Sequence, residues 1–110
     1  MAVADERRRA PRRRTRLTVA VAWDEPPELV RGTFKDLSDV GGRILLDEDV
    51  RLPDTFDAIQ LTAGVLHECR VVWRAEPLVG VAFDRSVPLK GTKEPRLMKR
   101  AQLWIRLLNR

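Results

Sequence analysis

Cysteine is almost absent from this chain, and its scarcity excludes two classes at once. Cys69 is the only one in 110 residues, so no disulfide can form within the chain and no zinc site can be built on several thiolates. A reducing compartment fits, and the cytoplasm is the expected location. Histidine is as scarce. His67 stands alone, two residues from Cys69, too few ligands for zinc and too isolated a pair for a nucleophile and its base. Both read as core residues. Aromatic residues make up only 5%, which leaves no ring-rich strand face for a nucleic-acid binder. No apolar run approaches the roughly 20 residues that span a bilayer. The arginine-rich N-terminus lacks the apolar stretch of a secretory signal. No membrane insertion is expected. The acidic stretch Asp47-Glu48-Asp49 lacks the spaced ligands and glycine of a calcium loop and reads as solvated. There is no nucleophile–base set, metal cluster or phosphate-cradling glycine loop, so neither catalysis nor a metal or cofactor is expected.

What is abundant is arginine, unevenly spread. Residues 1–16 carry a net charge of +5, residues 17–89 carry −6 and residues 90–110 carry +6. An acidic body thus has two basic ends, which attract nucleotide phosphates, nucleic acid or an acidic membrane surface. The length suits one small domain with a modest core.

Three segments follow along the chain. Residues 1–15 hold mutually repelling arginines and Pro11, which predicts an irregular arm that stays mobile until an anion orders it. Residues 16–88 alternate with period two. Leu17, Val19, Val21 and Trp23 define a first strand, and Glu28–Leu37 a second. Ile44-Leu45-Leu46 and residues 56–61 give two more, the latter with ambiguous facing. Cys69, Val71 and Trp73 alternate with Arg70, Val72 and Arg74, and Val79, Val81 and Phe83 return after Pro77. Trp23 and Trp73 are read as core. In residues 89–110 the period changes. Leu97, Met98, Ala101, Trp104, Ile105 and Leu108 fall on one helical stripe, with Lys99, Arg100 and Arg106 elsewhere on the wheel. Thr92 or Glu94 starts this helix, with Pro95 in its first turn, and Trp104 docks it on the strands. The expected fold is mainly β: a small six-stranded antiparallel barrel with a flexible basic N-terminal arm and a C-terminal α-helix.

Two segments stand out within this frame. Arg8-Arg9-Ala10-Pro11-Arg12 fits RxxxR. Asp36-Leu37-Ser38-Asp39-Val40-Gly41, beginning 24 residues after Arg12, fits DxSxxG. In this order and separation, ahead of a strand-rich chain, the pair resembles the PilZ domain family. Cys69–Arg74 followed by Gly80-Val81-Ala82-Phe83 is similar to the last hairpin of many PilZ domains. The resemblance covers residues 7–84. Arg9/Arg13 and Arg12/Arg16 also satisfy RxxxR, and the intervening Ala10-Pro11 favours Arg8/Arg12, as in the family pattern RRxPR.

The resemblance implies a ligand, cyclic di-GMP, and a noncatalytic receptor in bacterial second-messenger signalling that passes its signal to a protein partner. It implies that Arg8, Arg9 and Arg12 contact phosphate and guanine, that Asp36 and Ser38 bind a guanine, and that Gly41 shapes the turn. The chemistry fits. Guanidinium pairs bidentately with phosphate and with the O6/N7 edge of guanine, and stacks on purine faces. Arginines four apart on an extended arm span at most roughly 13 Å. Aspartate accepts from guanine N–H groups, and residues two apart in a strand face one side. Gly41, or Gly42 beside it, supplies a positive φ, or Gly41 admits a flat ring close to the backbone. Two other readings compete: a PilZ-like protein-interaction module that binds no nucleotide, and a nonspecific nucleic-acid binder, which the acidic body disfavours.

Overall fold

A computed structural model describes residues 12–24 and 27–109. The elements are β1 (Arg13–Asp24), β2 (Pro27–Leu37), β3 (Gly41–Leu46), β4 (Thr55–Gln60), β5 (Val65–Ala75), β6 (Leu78–Pro88) and α1 (Pro95–Leu108). The strands close into an antiparallel barrel in the order β1-β2-β3-β6-β5-β4. The expected six-stranded barrel with a C-terminal helix is what forms. Register breaks in β1, β2, β5 and β6 mark the bulges that add local twist as the sheet closes.

The strands bury two faces for two reasons. Val19, Val21, Phe34, Ile44, Ala58 and Val79 point into the barrel. Ala20, Ile59, Leu61, Leu66 and Leu89 form a second cluster with Leu97 and Leu107 of α1. In β1, Val19 through Ala22 are therefore all buried, although the sequence alternates. Four consecutive residues of β4, Phe56 to Ile59, are buried likewise, which is why its facing is illegible from period alone. β1 also reaches back to Arg13, ahead of the alternation at Leu17, because Arg13 and Arg14 pair with Leu37 and Asp36.

Two expectations are corrected. Trp23 does pack against the barrel core, but Trp73 is 38% exposed. A register shift after Val71 re-aims it, and its indole lies over the bare backbone of Gly80. On α1, the buried residues are Leu97, Arg100 and Leu107, while Met98, Ile105 and Leu108 remain about half exposed. The helix is rotated toward Arg100. Its Nε–H donates to Asp57 Oδ2 at 2.9 Å and Nη2 donates to Asp24 Oδ1 at 3.1 Å. Arg96 adds donations to Asp57 and Glu68, each at 2.6 Å. Trp104 docks as expected, with its indole N–H on the Leu61 carbonyl at 2.8 Å. Beneath it, Gly64 has φ of +67°, and any side chain there would strike the indole ring. Pro95 opens the helix after the extended residue Glu94, whose carboxylate is held by both Nη atoms of Arg85.

Candidate functional site

The Asp36–Gly41 segment joins β2 to β3. Strand pairing sets Leu37 opposite Gly42 and Asp36 opposite Arg43, so the four residues Ser38–Gly41 make the connection. Ser38 holds it together. Its N–H donates to the Gly41 carbonyl at 2.8 Å, its hydroxyl donates to the same oxygen at 3.2 Å, and Val40 N–H donates to the hydroxyl at 3.2 Å. Gly41 does not have a positive φ; among the described residues only Gly64 and Gly91 do. The close approach it allows is to β6: a Cβ would collide with the Val81 carbonyl. At Gly42 a Cβ would collide with the Asp36 carbonyl. Both glycines thus let strands approach at the mouth of the site.

Asp36 is buried. Arg43 Nε–H donates to its Oδ2 at 2.5 Å. Its Oδ1 is buried and has no hydrogen-bond partner among the described residues. A buried acceptor without a donor costs about 1–3 kcal/mol, so an orphaned carboxylate oxygen calls for an explanation. Asp36 and Ser38 therefore have different jobs: the first is a fixed, half-satisfied anion, and the second pins the turn.

The start of β1 lies alongside. Arg13 pairs with Leu37, between Asp36 and Ser38, and Arg14 pairs with Asp36. Arg12 precedes this pairing and is exposed. Arg8 and Arg9 lie outside the described residues. Two hollows flank the junction. One, of about 620 Å³, is lined by Arg14, Thr15, Arg16, Lys35 and Arg43. The other, of about 250 Å³, is lined by Arg13, Ser38 and Asp39 together with Gln60, His67 and Ser86. The only carboxylates in the motif, Asp36 and Asp39, face a clear excess of cations, so the field here favours an anion. A further cleft of about 420 Å³ between α1 and the barrel is lined by Asp24, Asp57, Glu68 and Arg96, and among the described residues none of the predicted site residues borders it. Its charges are largely occupied with one another.

His67 forms a polar floor to the smaller hollow. Gln60 Oε1 lies 2.8 Å from Nε2 and Ser86 Oγ lies 2.7 Å from Nδ1. With the amide oxygen accepting, Nε2 carries the proton and Nδ1 accepts from the serine hydroxyl. Phe83 stacks on the ring with centroids 4.1 Å apart. Burial lowers the His67 pKa to about 4, so the imidazole is neutral at pH 7. Burial likewise raises the Cys69 thiol well above its usual range, which leaves it unreactive. Both are interior residues, as the sequence implies.

Sequence reasoning missed Arg43 and the His67–Ser86–Gln60 set, and it raised Arg13 only in the overlapping frame Arg9/Arg13. Arg43 was within reach: once Ser38–Gly41 is taken as a four-residue connection, Leu37 falls opposite Gly42 and Asp36 opposite Arg43. The histidine set was not, because its members come from β4, β5 and β6 and meet only when the barrel closes.

A six-stranded closed barrel with a cationic junction beside a β2–β3 turn defines the class of this protein. A family model for the PilZ domain matches residues 6–94, spanning the arm and all six strands. No curated protein matches the chain. The chain belongs to the PilZ domain family. Among the described residues no helix is long and apolar enough to cross a membrane, and no group of three or more His, Cys, Asp or Glu could hold a metal ion.

Proposed function

We propose that this protein is a noncatalytic receptor for cyclic di-GMP, with the arginine arm closing over the nucleotide on the barrel face. The observation that carries the reading is the register of β1 on β2. Arg13, the residue after Arg12, lies opposite Leu37, so the chain leaving RxxxR runs beside the start of DxSxxG although the two are far apart in sequence. Arg8, Arg9 and Arg12 supply guanidinium forks for phosphate and guanine. Asp36 Oδ1, which has no donor among the described residues, is the natural acceptor for a guanine N–H. Ser38 and Gly41 hold the turn that presents it.

The energetics are sufficient. Each charge-assisted bond contributes about 1.5–3 kcal/mol. Four or five of them, less the cost of ordering the arm, reach about −8 kcal/mol, which is micromolar binding. Ligand phosphates neutralise the repulsion within the arm and draw it onto the barrel. That changes the surface offered to a partner, an order–disorder switch. Amide hydrogen exchange over residues 8–12 tests this directly. Saturating cyclic di-GMP should slow exchange there, and Arg12→Ala should remove the protection. Exchange that is the same with and without nucleotide would refute closure.

A further inference from the structure

The PilZ match ends at residue 94 and α1 begins at Pro95. One side of this helix is fully used, by Leu97, Arg100, Leu107 and the Trp104 contact. The other side is not. Met98, Ile105 and Leu108 are 47%, 50% and 48% exposed. With Ala101 they fall at i, i+3, i+7 and i+10, the three–four spacing of a helix–helix seam. Scattered exposed apolar residues need no explanation, but a continuous stripe marks an interaction surface. Beside it a cleft of about 260 Å³ opens between α1 and the 89–92 loop, lined by Leu89, Lys90, Met98, Ala101, Trp104 and Ile105. A partner's side chain has a place to enter.

Charge selects the occupant. Lys90 and Lys93 sit on the preceding loop, and Lys99 and Arg106 each follow a seam residue by one position, on its solvent side. All four are exposed, and none is in a salt bridge among the described residues. The carboxylates nearby are taken: Glu94 by Arg85, and Asp57 by Arg96 and Arg100. A second copy of this chain would set these cations against themselves, which like-charge repulsion opposes. An acidic surface is matched, and the helical spacing asks for a helix. We propose that α1 and the 89–92 loop form a docking groove for an acidic amphipathic helix of a partner protein. Apolar residues three and four apart enter the seam, and flanking carboxylates meet Lys90, Lys93, Lys99 and Arg106. The proposal stands apart from nucleotide binding, since none of these residues lines the candidate nucleotide site.

The test uses the full chain and a labelled synthetic peptide of about five helical turns, with leucines at three–four spacing and glutamates on both flanks. A peptide with lysine in place of glutamate, and anionic phospholipid vesicles, serve as comparisons, with sedimentation to measure self-association. The glutamate peptide should bind, more weakly as salt rises. Ile105→Glu should weaken it about tenfold or more, with the thermal midpoint held because Ile105 is half exposed. The double variant Lys99→Glu/Arg106→Glu should reverse the preference toward the lysine peptide. The proposal is overturned by absence of binding, by equal binding of both peptides, by binding that survives Ile105→Glu, by self-association through α1, or by preference for vesicles.

Discussion

Removing Asp36 and removing Arg43 delete the same ion pair, yet the two changes should differ in cost. The Asp36 side chain is 8% exposed and that of Arg43 is 37% exposed. Arg43→Ala leaves a buried carboxylate without the one cation that hydrogen-bonds it among the described residues, a loss of about 3 kcal/mol or more. Asp36→Ala leaves an arginine whose head can turn to water. It forfeits one charge-assisted bond, about 1.5–3 kcal/mol, but removes the orphaned Oδ1, which costs about 1–3 kcal/mol where it stands. The two nearly cancel, so the net loss should be about 1 kcal/mol or less. Urea unfolding followed by tryptophan fluorescence reads both, as midpoint shifts at constant slope. Equal losses, or a larger one for Asp36→Ala, would refute the reasoning. The functional consequence runs the other way. If Oδ1 accepts a guanine N–H, Asp36→Ala weakens cyclic di-GMP binding at least about tenfold, since about 1.4 kcal/mol is a factor of ten. Stability held while binding falls is the signature of an acceptor kept unpaired for a ligand.

Two further predictions concern the rest of the fold. The His67 pKa is about 4 in the folded chain against 6.5 for the free side chain, so between these values the unfolded state binds the extra proton. Its contribution to stability is complete above pH 6.5 and falls, by up to about 3 kcal/mol, as pH drops to 4. His67→Gln should flatten that part of the stability–pH curve, and an unchanged slope would show that the ring does not titrate this way. Arg100→Met should loosen α1, at a cost of about 2–3 kcal/mol, moderated because Arg96 still reaches Asp57. Faster amide exchange in residues 97–108 than in the barrel strands checks it, and unchanged exchange there would contradict the latch.

What the sequence shows of this fold depends on how many faces each element buries. β2 keeps its solvent side half exposed, and its bounds are nearly legible from alternation and the flanking prolines and motif. β4 is buried on both faces, inward by Phe56 and Ala58 and outward by Asp57 and Ile59 under α1, so period carries no information about facing. On α1 the apolar stripe gives the helix but not its rotation. Arg100 reads as a solvated cation until Asp57 and Asp24, from β4 and β1, are known to lie beneath it. Of the candidate site, Asp36, Ser38 and Gly41 are legible as a motif. Their division of labour is not, because the orphaned oxygen of Asp36 and the close approach of Gly41 to Val81 depend on strands that come together only in three dimensions.

Calorimetric titration of cyclic di-GMP into the purified chain, with GTP and cyclic di-AMP as controls, tests the central claim most directly. The account predicts saturable, selective binding at micromolar or tighter concentration. A folded sample that gives no heat with cyclic di-GMP and no displacement of a labelled analogue would contradict it.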